Sequence, residues 1–118
     1  MHPYILVFIS IILGVAGQLT MKWGTSQISA TGLSVISQLI KYFTHIPILM
    51  GLMFYVLSAV VWLFAISRVQ LSVAYPMVAS GYVLVVLFSW LLLNEPLTTL
   101  KIIGLLTIVT GVIIIANS

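Results

Sequence analysis

Four long apolar runs, residues 3–21, 46–67, 71–93 and 99–116, make up most of this chain. Crossing the ~30 Å hydrocarbon core of a bilayer takes about 20 mostly apolar residues in a helix, and each run meets that demand. The second, "IPILMGLMFYVLSAVVWLFAIS", contains no charge at all. A closed β-barrel is the only other spanning solution, and its strands alternate apolar with polar residues. These runs are continuous, so the expected fold is an all-α integral membrane protein. Short connections between successive spans make neighbours antiparallel, which gives an up-down four-transmembrane-helix bundle and a single membrane domain over residues 1–118.

Charge supports that reading. Only 4% of the 118 residues are charged and 63% are hydrophobic, whereas a soluble domain carries about a quarter charged residues to face water. A net charge of +3 is too thinly spread for a nucleic-acid footprint, which needs clustered Lys and Arg. Without cysteine, disulfides, thiolate metal sites and thiol catalysis are excluded. Two histidines at span edges and one acid make no nucleophile, base or metal constellation, so neither enzyme chemistry nor a metal or cofactor is expected. A cleaved signal peptide is the competing reading of residues 1–19. Its basic n-region would consist of the amino terminus and His2 alone, and the apolar run is long enough to span.

Between the first two spans lies "TSQISATGLSVISQLIKYFTH", residues 25–45. Its first part is polar and loop-like. From Leu33 to His45 the pattern becomes helical: Leu33, Ile36, Leu39, Ile40 and Phe43 share one face, with Ser34, Gln38, Lys41 and His45 opposite. An amphipathic segment at the membrane interface fits this pattern, and Pro47 favours a break near His45–Pro47. In the last loop, Asn94, Glu95 and Pro96 read as a cap and opening turn for the fourth span. Lys22, Lys41 and Lys101 fall on one side of the membrane and Arg68 on the other, which places the three lysines in the cytoplasm. So small a bias permits insertion in both orientations, and with it an antiparallel dimer.

Few polar residues interrupt the spans. In the first, Ser10, Gly14, Gly17 and Met21 form a narrow stripe with Gln18 beside it. The glycines either pack against another helix or floor a groove. The Gln18 amide needs a partner in hydrocarbon, from a neighbouring helix or a wet cavity. Lys22, one turn on, either snorkels to the interface or meets an anionic headgroup. Tyr75, Ala79, Tyr82, Val86 and Ser89 line one face of the third span, where Pro76 and Ser80–Gly81 can bend the helix. Such bends mark transporter sites. Gly104, Ile108 and Gly111 make a small-residue seam suited to oligomer contacts. Glu95, the sole acid, either complements a helix dipole or pairs with a substrate amine, Lys22 or Lys101.

With "LGVAGQLTMK" in the first span, "AYPMVASGY" in the third and "GLLTIVTGVIII" in the fourth, the chain resembles the small multidrug resistance fold of the drug/metabolite transporter superfamily. The drug-exporting branch carries a proton- and cation-binding glutamate where this chain has Gly14, and a tryptophan where it has Val78. "VAGQ" followed by Lys22, then "VAYPM" and "NEP", is similar to flippase subunits for aminoarabinose linked to undecaprenyl phosphate. That resemblance implies a multi-pass protein of the bacterial inner membrane that moves a lipid-linked sugar from the cytoplasmic to the periplasmic leaflet. It would act as a homodimer or as a heterodimer with a similar four-helix subunit. Gln18, Tyr75, Ser80 and Tyr82 would then bond the sugar over the Gly14 floor, Lys22 or Arg68 would attend the phosphate, and Glu95 would receive an amino group. Export of small cationic or hydrophilic solutes, and a non-transporting partner subunit, are the alternatives.

Overall fold

In a computed structural model, residues 3–29 and 32–118 are described; Met1, His2, Ala30 and Thr31 lie outside the described residues. The described residues form six helices in order: α1 (Pro3–Ser26), α2 (Val35–Thr44), α3 (Ile46–Ile66), α4 (Leu71–Val78), α5 (Ser80–Leu92) and α6 (Thr99–Ala116). α4 and α5 together form one span, Leu71–Leu92, so four segments among the described residues are long and apolar enough to cross a membrane. At 1.5 Å per residue α1 alone reaches about 36 Å.

α1 and α3 form the antiparallel pair on which the rest is built. Glycine permits their approach. A Cβ on Gly17 would stand 2.7 Å from the Gly51 carbonyl oxygen, and one on Gly51 would stand 2.8 Å from the Gly17 oxygen. Farther along, a Cβ on Gly24 would meet Ile48 Cγ1 at 2.7 Å. Toward the other end, the Ser10 hydroxyl donates to the Ser58 carbonyl at 2.8 Å and the Ser58 hydroxyl donates to the Ser10 carbonyl at 2.8 Å. Backbones this close maximise dispersion contact, which drives helix association where lipid supplies no hydrophobic force. The apolar core gathers beside this pair, from Val7, Ile11 and Val15 of α1 with Ala65, Val69, Ala74 and Met77.

α2 begins at Ser34, whose hydroxyl accepts the Ser37 N–H. Its apolar side chains Ile36, Leu39, Ile40 and Phe43 are exposed, so the amphipathic segment turns its hydrophobic face away from the bundle. The chain breaks at His45, which is extended (φ −89°, ψ 122°). α3 starts at once, with Pro47 in the first turn, where a missing N–H costs nothing.

The third span breaks at Ala79. Pro76 has no N–H to give the preceding turn, and the chain tightens there: Ala79 N–H donates to the Pro76 carbonyl and Tyr82 N–H to the Ala79 carbonyl. The Ser80 hydroxyl donates to the Met77 carbonyl at 2.7 Å. Gly81 lets α5 rest on α1, since a Cβ there would meet Ile11 Cγ2 at 3.1 Å.

The last loop differs from the sequence expectation. Asn94 adopts φ 57° and ends α5 instead of opening α6. The N-cap of α6 is Thr98, whose hydroxyl accepts the Lys101 N–H at 3.2 Å. Glu95 therefore precedes the first turn of α6, which holds no acid. A left-handed residue reverses the chain too early for Pro96 to be helical. α6 packs against α4 and α5 and buries none of its residues.

Gly51→Ala should lower the thermal stability of the purified protein by about 1–3 kcal/mol, the usual cost of overpacking. Gly14→Ala should cost less, because its new methyl meets only the Ser58 hydroxyl, at 3.2 Å. Unfolding in detergent followed by circular dichroism checks the order; equal melts for the two variants would contradict the close α1–α3 approach.

Candidate functional site

Beside the α1–α3 contact lies a groove of about 450 Å³ that α4 and α5 close on a further side. α1 contributes Ser10, Gly14 and Gln18, successive turns of one helical face. α3 contributes Tyr55, Ser58, Ala59 and Trp62 at the same spacing. From across the break come Tyr75 and Val78 of α4 and Gly81, Tyr82 and Val85 of α5. Hydroxyls, one amide and four aromatic rings thus face a common space in which no Lys, Arg, His, Asp or Glu takes part.

Local structure sets each of these groups. Gly14 leaves the groove floor without a side chain, whereas Gly17, one turn away, is consumed by packing against Gly51. The two glycines read together in the sequence do different work. Ser10 and Ser58 satisfy each other across the floor, their hydroxyl oxygens 3.3 Å apart. Trp62 and Tyr75 meet edge to face, with centroids 6.4 Å apart and planes at 68°. Such pairs hold each other's ring orientation. The Gln18 side chain is exposed and has no hydrogen-bond partner among the described residues, so its amide is free for a ligand. Tyr75 and Tyr82 are 69% and 58% exposed, which leaves the groove open along its α4–α5 wall.

Of the residues singled out in the sequence, Gly14, Gln18, Tyr75 and Tyr82 line the groove together. Lys22 is exposed one turn beyond Gln18, outside the lining. Arg68 is also exposed but follows α3 at the opposite end of the pair, since Gly24 of α1 lies against Ile48 at the start of α3. Ser80 closes the helix break with its hydroxyl and does not line the groove. Glu95 is half-buried in the α5–α6 turn, where its N–H donates to the Ser89 carbonyl at 3.1 Å. The Lys101 ammonium donates to the Pro96 carbonyl at 2.7 Å. On α6, Gly104 is exposed and Ile108 and Gly111 are half-buried; a Cβ at either glycine would have nothing within 4 Å.

Sequence reasoning missed the α3 wall. Tyr55, Ser58 and Trp62 stand in the one span read only for its lack of charge, although their spacing of three and four marks a single face. Val78 and Gly14, where the drug-exporting branch has its tryptophan and glutamate, both line the groove. The cation-handling groups are therefore absent from the very space they would have occupied.

The EamA-like transporter family matches residues 43–117. A relative in Photorhabdus laumondii, named "Probable 4-amino-4-deoxy-L-arabinose-phosphoundecaprenol flippase subunit ArnF", is 35% identical over 124 residues, covering 99% of this chain and 98% of its own. Relatives of the same name are 35% identical in Aeromonas hydrophila, over 95% of this chain and 78% of theirs, and 35% identical in Serratia proteamaculans, over 87% and 83%. No solved structure matches the chain.

The reciprocal serine bond generates a measurable expectation. Ser10→Ala and Ser58→Ala each remove one hydroxyl-to-carbonyl bond and should each cost about 0.6 kcal/mol and at most about 1.7, the range for hydroxyl bonds between membrane helices. Because each carbonyl survives the other substitution, the losses in thermal stability should be nearly additive; a variant as stable as the parent would show that its hydroxyl makes no such bond.

Proposed function

The chain belongs to the EamA-like transporter family, and on that premise we propose that it is a subunit of a flippase for an undecaprenyl-phosphate-linked sugar. Such a lipid has an apolar tail, an anionic phosphate and a polar ring. Four apolar helices and the bacterial relatives make the chain a multi-pass protein of the inner membrane. Transporter kinship makes it no enzyme.

The observation that carries the proposal is the uncharged polar groove between α1, α3 and the broken third span. A sugar hydroxyl taken into hydrocarbon without a partner costs roughly 2–7 kcal/mol, and several hydroxyls must cross. The Tyr82 phenol offers a replacement bond near mid-span, with the Gln18 amide toward the Lys22 end and the Tyr75 phenol toward the Arg68 end. The faces of Trp62 and Tyr55 suit the apolar faces of a pyranose ring. Because the groove opens sideways past Tyr75 and Tyr82, the tail can stay in lipid while the headgroup passes. The phosphate keeps its charge and needs a cation at each side of the membrane: Lys22 at one end and Arg68 at the other fit that demand. Three lysines against one arginine favour the Lys22 end in the cytoplasm, and movement from the cytoplasmic to the periplasmic leaflet is the direction that the flippase resemblance implies. If the sugar carries an amine, Glu95 lies at the Lys22 end to receive it.

Proton-coupled export of cations is the competing class. It requires a carboxylate that binds proton and cation in turn, and the groove lining holds none. The relatives are named subunits, which supports action with a second chain, either an antiparallel copy or a similar four-helix subunit meeting it along Gly104, Ile108 and Gly111.

The test uses the purified protein in liposomes loaded with the undecaprenyl-phosphate aminosugar, whose amine is scored with a membrane-impermeant reagent as it changes leaflet. Gln18→Ala and Tyr75→Ala should each weaken lipid binding about three- to tenfold, the worth of one hydrogen bond. Lys22→Ala should slow movement further by leaving the phosphate unpaired. If Gln18→Ala and Lys22→Ala leave binding and movement intact, the site is misassigned. Thermal stabilisation by organic cations in place of polyprenyl phosphates would favour the exporter.

A further inference from the structure

A second concavity, about 300 Å³, lies at the corner where α1, α2 and α3 meet, lined by Gln27, Ile28, Ser29, Lys41, Thr44 and His45. It shares no residue with the groove. Two features give it a chemistry. First, Lys41 brings a full positive charge and no acid lines the space. Second, the His45 ring is anchored: its Nε2 lies 2.9 Å from Gln27 Oε1, which joins the end of α1 to the α2–α3 junction. That contact uses the Gln27 carbonyl oxygen and leaves the amide NH₂ for a ligand. The Thr44 hydroxyl already donates to the Ile40 carbonyl at 2.7 Å and retains only acceptor capacity. The donors are therefore the ammonium of Lys41, the amide of Gln27 and the hydroxyl of Ser29, a set that suits an oxyanion.

Depth identifies the source of that oxyanion. Ile36, Leu39, Ile40 and Phe43 on α2 are 71%, 48%, 60% and 55% exposed. A helix with such a face lies in the membrane plane with its apolar side in the acyl boundary. The crevice beside Lys41 and Thr44, at the end of the same helix, then sits at the level of lipid phosphates. Basic pockets between membrane helices on the cytoplasmic side recognise anionic headgroups. We infer that this crevice binds the phosphate of an anionic membrane lipid, with Lys41 as the charge partner and Gln27 and Ser29 as hydrogen-bond donors. Occupancy would pin α2 to the bundle at the interface. Because the crevice is separate from the groove, the inference does not depend on what the groove carries.

The full chain in neutral detergent, titrated with dihexanoyl phosphatidylglycerol, dihexanoyl phosphatidylcholine and inorganic phosphate, tests it by native mass spectrometry. Phosphatidylglycerol should bind about fivefold more tightly than phosphatidylcholine, the contribution of one basic residue to an anionic headgroup. Lys41→Gln should abolish that preference and Lys41→Arg should keep it. Lys101→Gln, which removes the same charge from the same end of the bundle, should also keep it. Equal affinity for the two lipids overturns the inference, as does equal loss in the Lys41→Gln and Lys101→Gln variants. Inorganic phosphate binding as tightly as phosphatidylglycerol would assign the crevice to the free ion and overturn the lipid source.

Discussion

The contact between α1 and α3 is the constraint on which the remaining structure depends. Lipid tails are as apolar as leucine, so two helices gain little from merely being hydrophobic and must gain from fit. Gly17 and Gly51 remove the side chains that would hold the backbones apart. Ser10 and Ser58 add two hydroxyl-to-carbonyl bonds that neither helix could make with lipid. A groove opens on the flank of this tight pair, with α4 and α5 supplying its further wall.

That origin explains the chemical character of the groove. Its floor is the glycine and serine surface of the same contact, and its further wall comes from α4 and α5. A charge placed there would be poorly solvated, and polar neutral groups are the most a span can carry without a fixed counter-ion. The cations stand instead at the two ends, Lys22 and Arg68, where side chains reach water or headgroups. The polar interior is thereby separated from the charged rims. The break at Ala79, eased by Pro76 and closed by the Ser80 hydroxyl, lies in the wall between Tyr75 and Tyr82.

Several residues were legible in the sequence and others were not. Gly14, Gln18, Tyr75 and Tyr82 were visible because a polar or missing side chain inside an apolar run has few bland explanations. Gly14 and Gly17 could not be told apart, since only the position of Gly51 decides which of them is covered. Ser80 looked like a ligand group on polarity alone, yet a hydroxyl next to a broken turn finds a carbonyl first. Asn94 and Pro96 resembled a helix start because capping residues serve both ends of a turn, and the sign of φ at Asn94 is a property of the folded loop. Tyr55, Ser58 and Trp62 escaped notice because hydropathy averages over a helix and hides its faces.

The amino-acid sequence by itself determined that the chain spans a membrane as helices. Continuous apolar runs of this length, without the polar alternation of a barrel strand, satisfy their backbone in lipid as helices. It also determined the amphipathic stretch before the second span, the weak charge bias, and the absence of a carboxylate at the positions where a cation pump needs one. Only the tertiary structure decided which polar residues share a space. That outcome depends on the register of α1 against α3 and on how α4 and α5 lie against that pair, both set by packing between segments remote in sequence. Periodicity can name the face of a helix, but the neighbour that covers or exposes that face comes from another part of the chain.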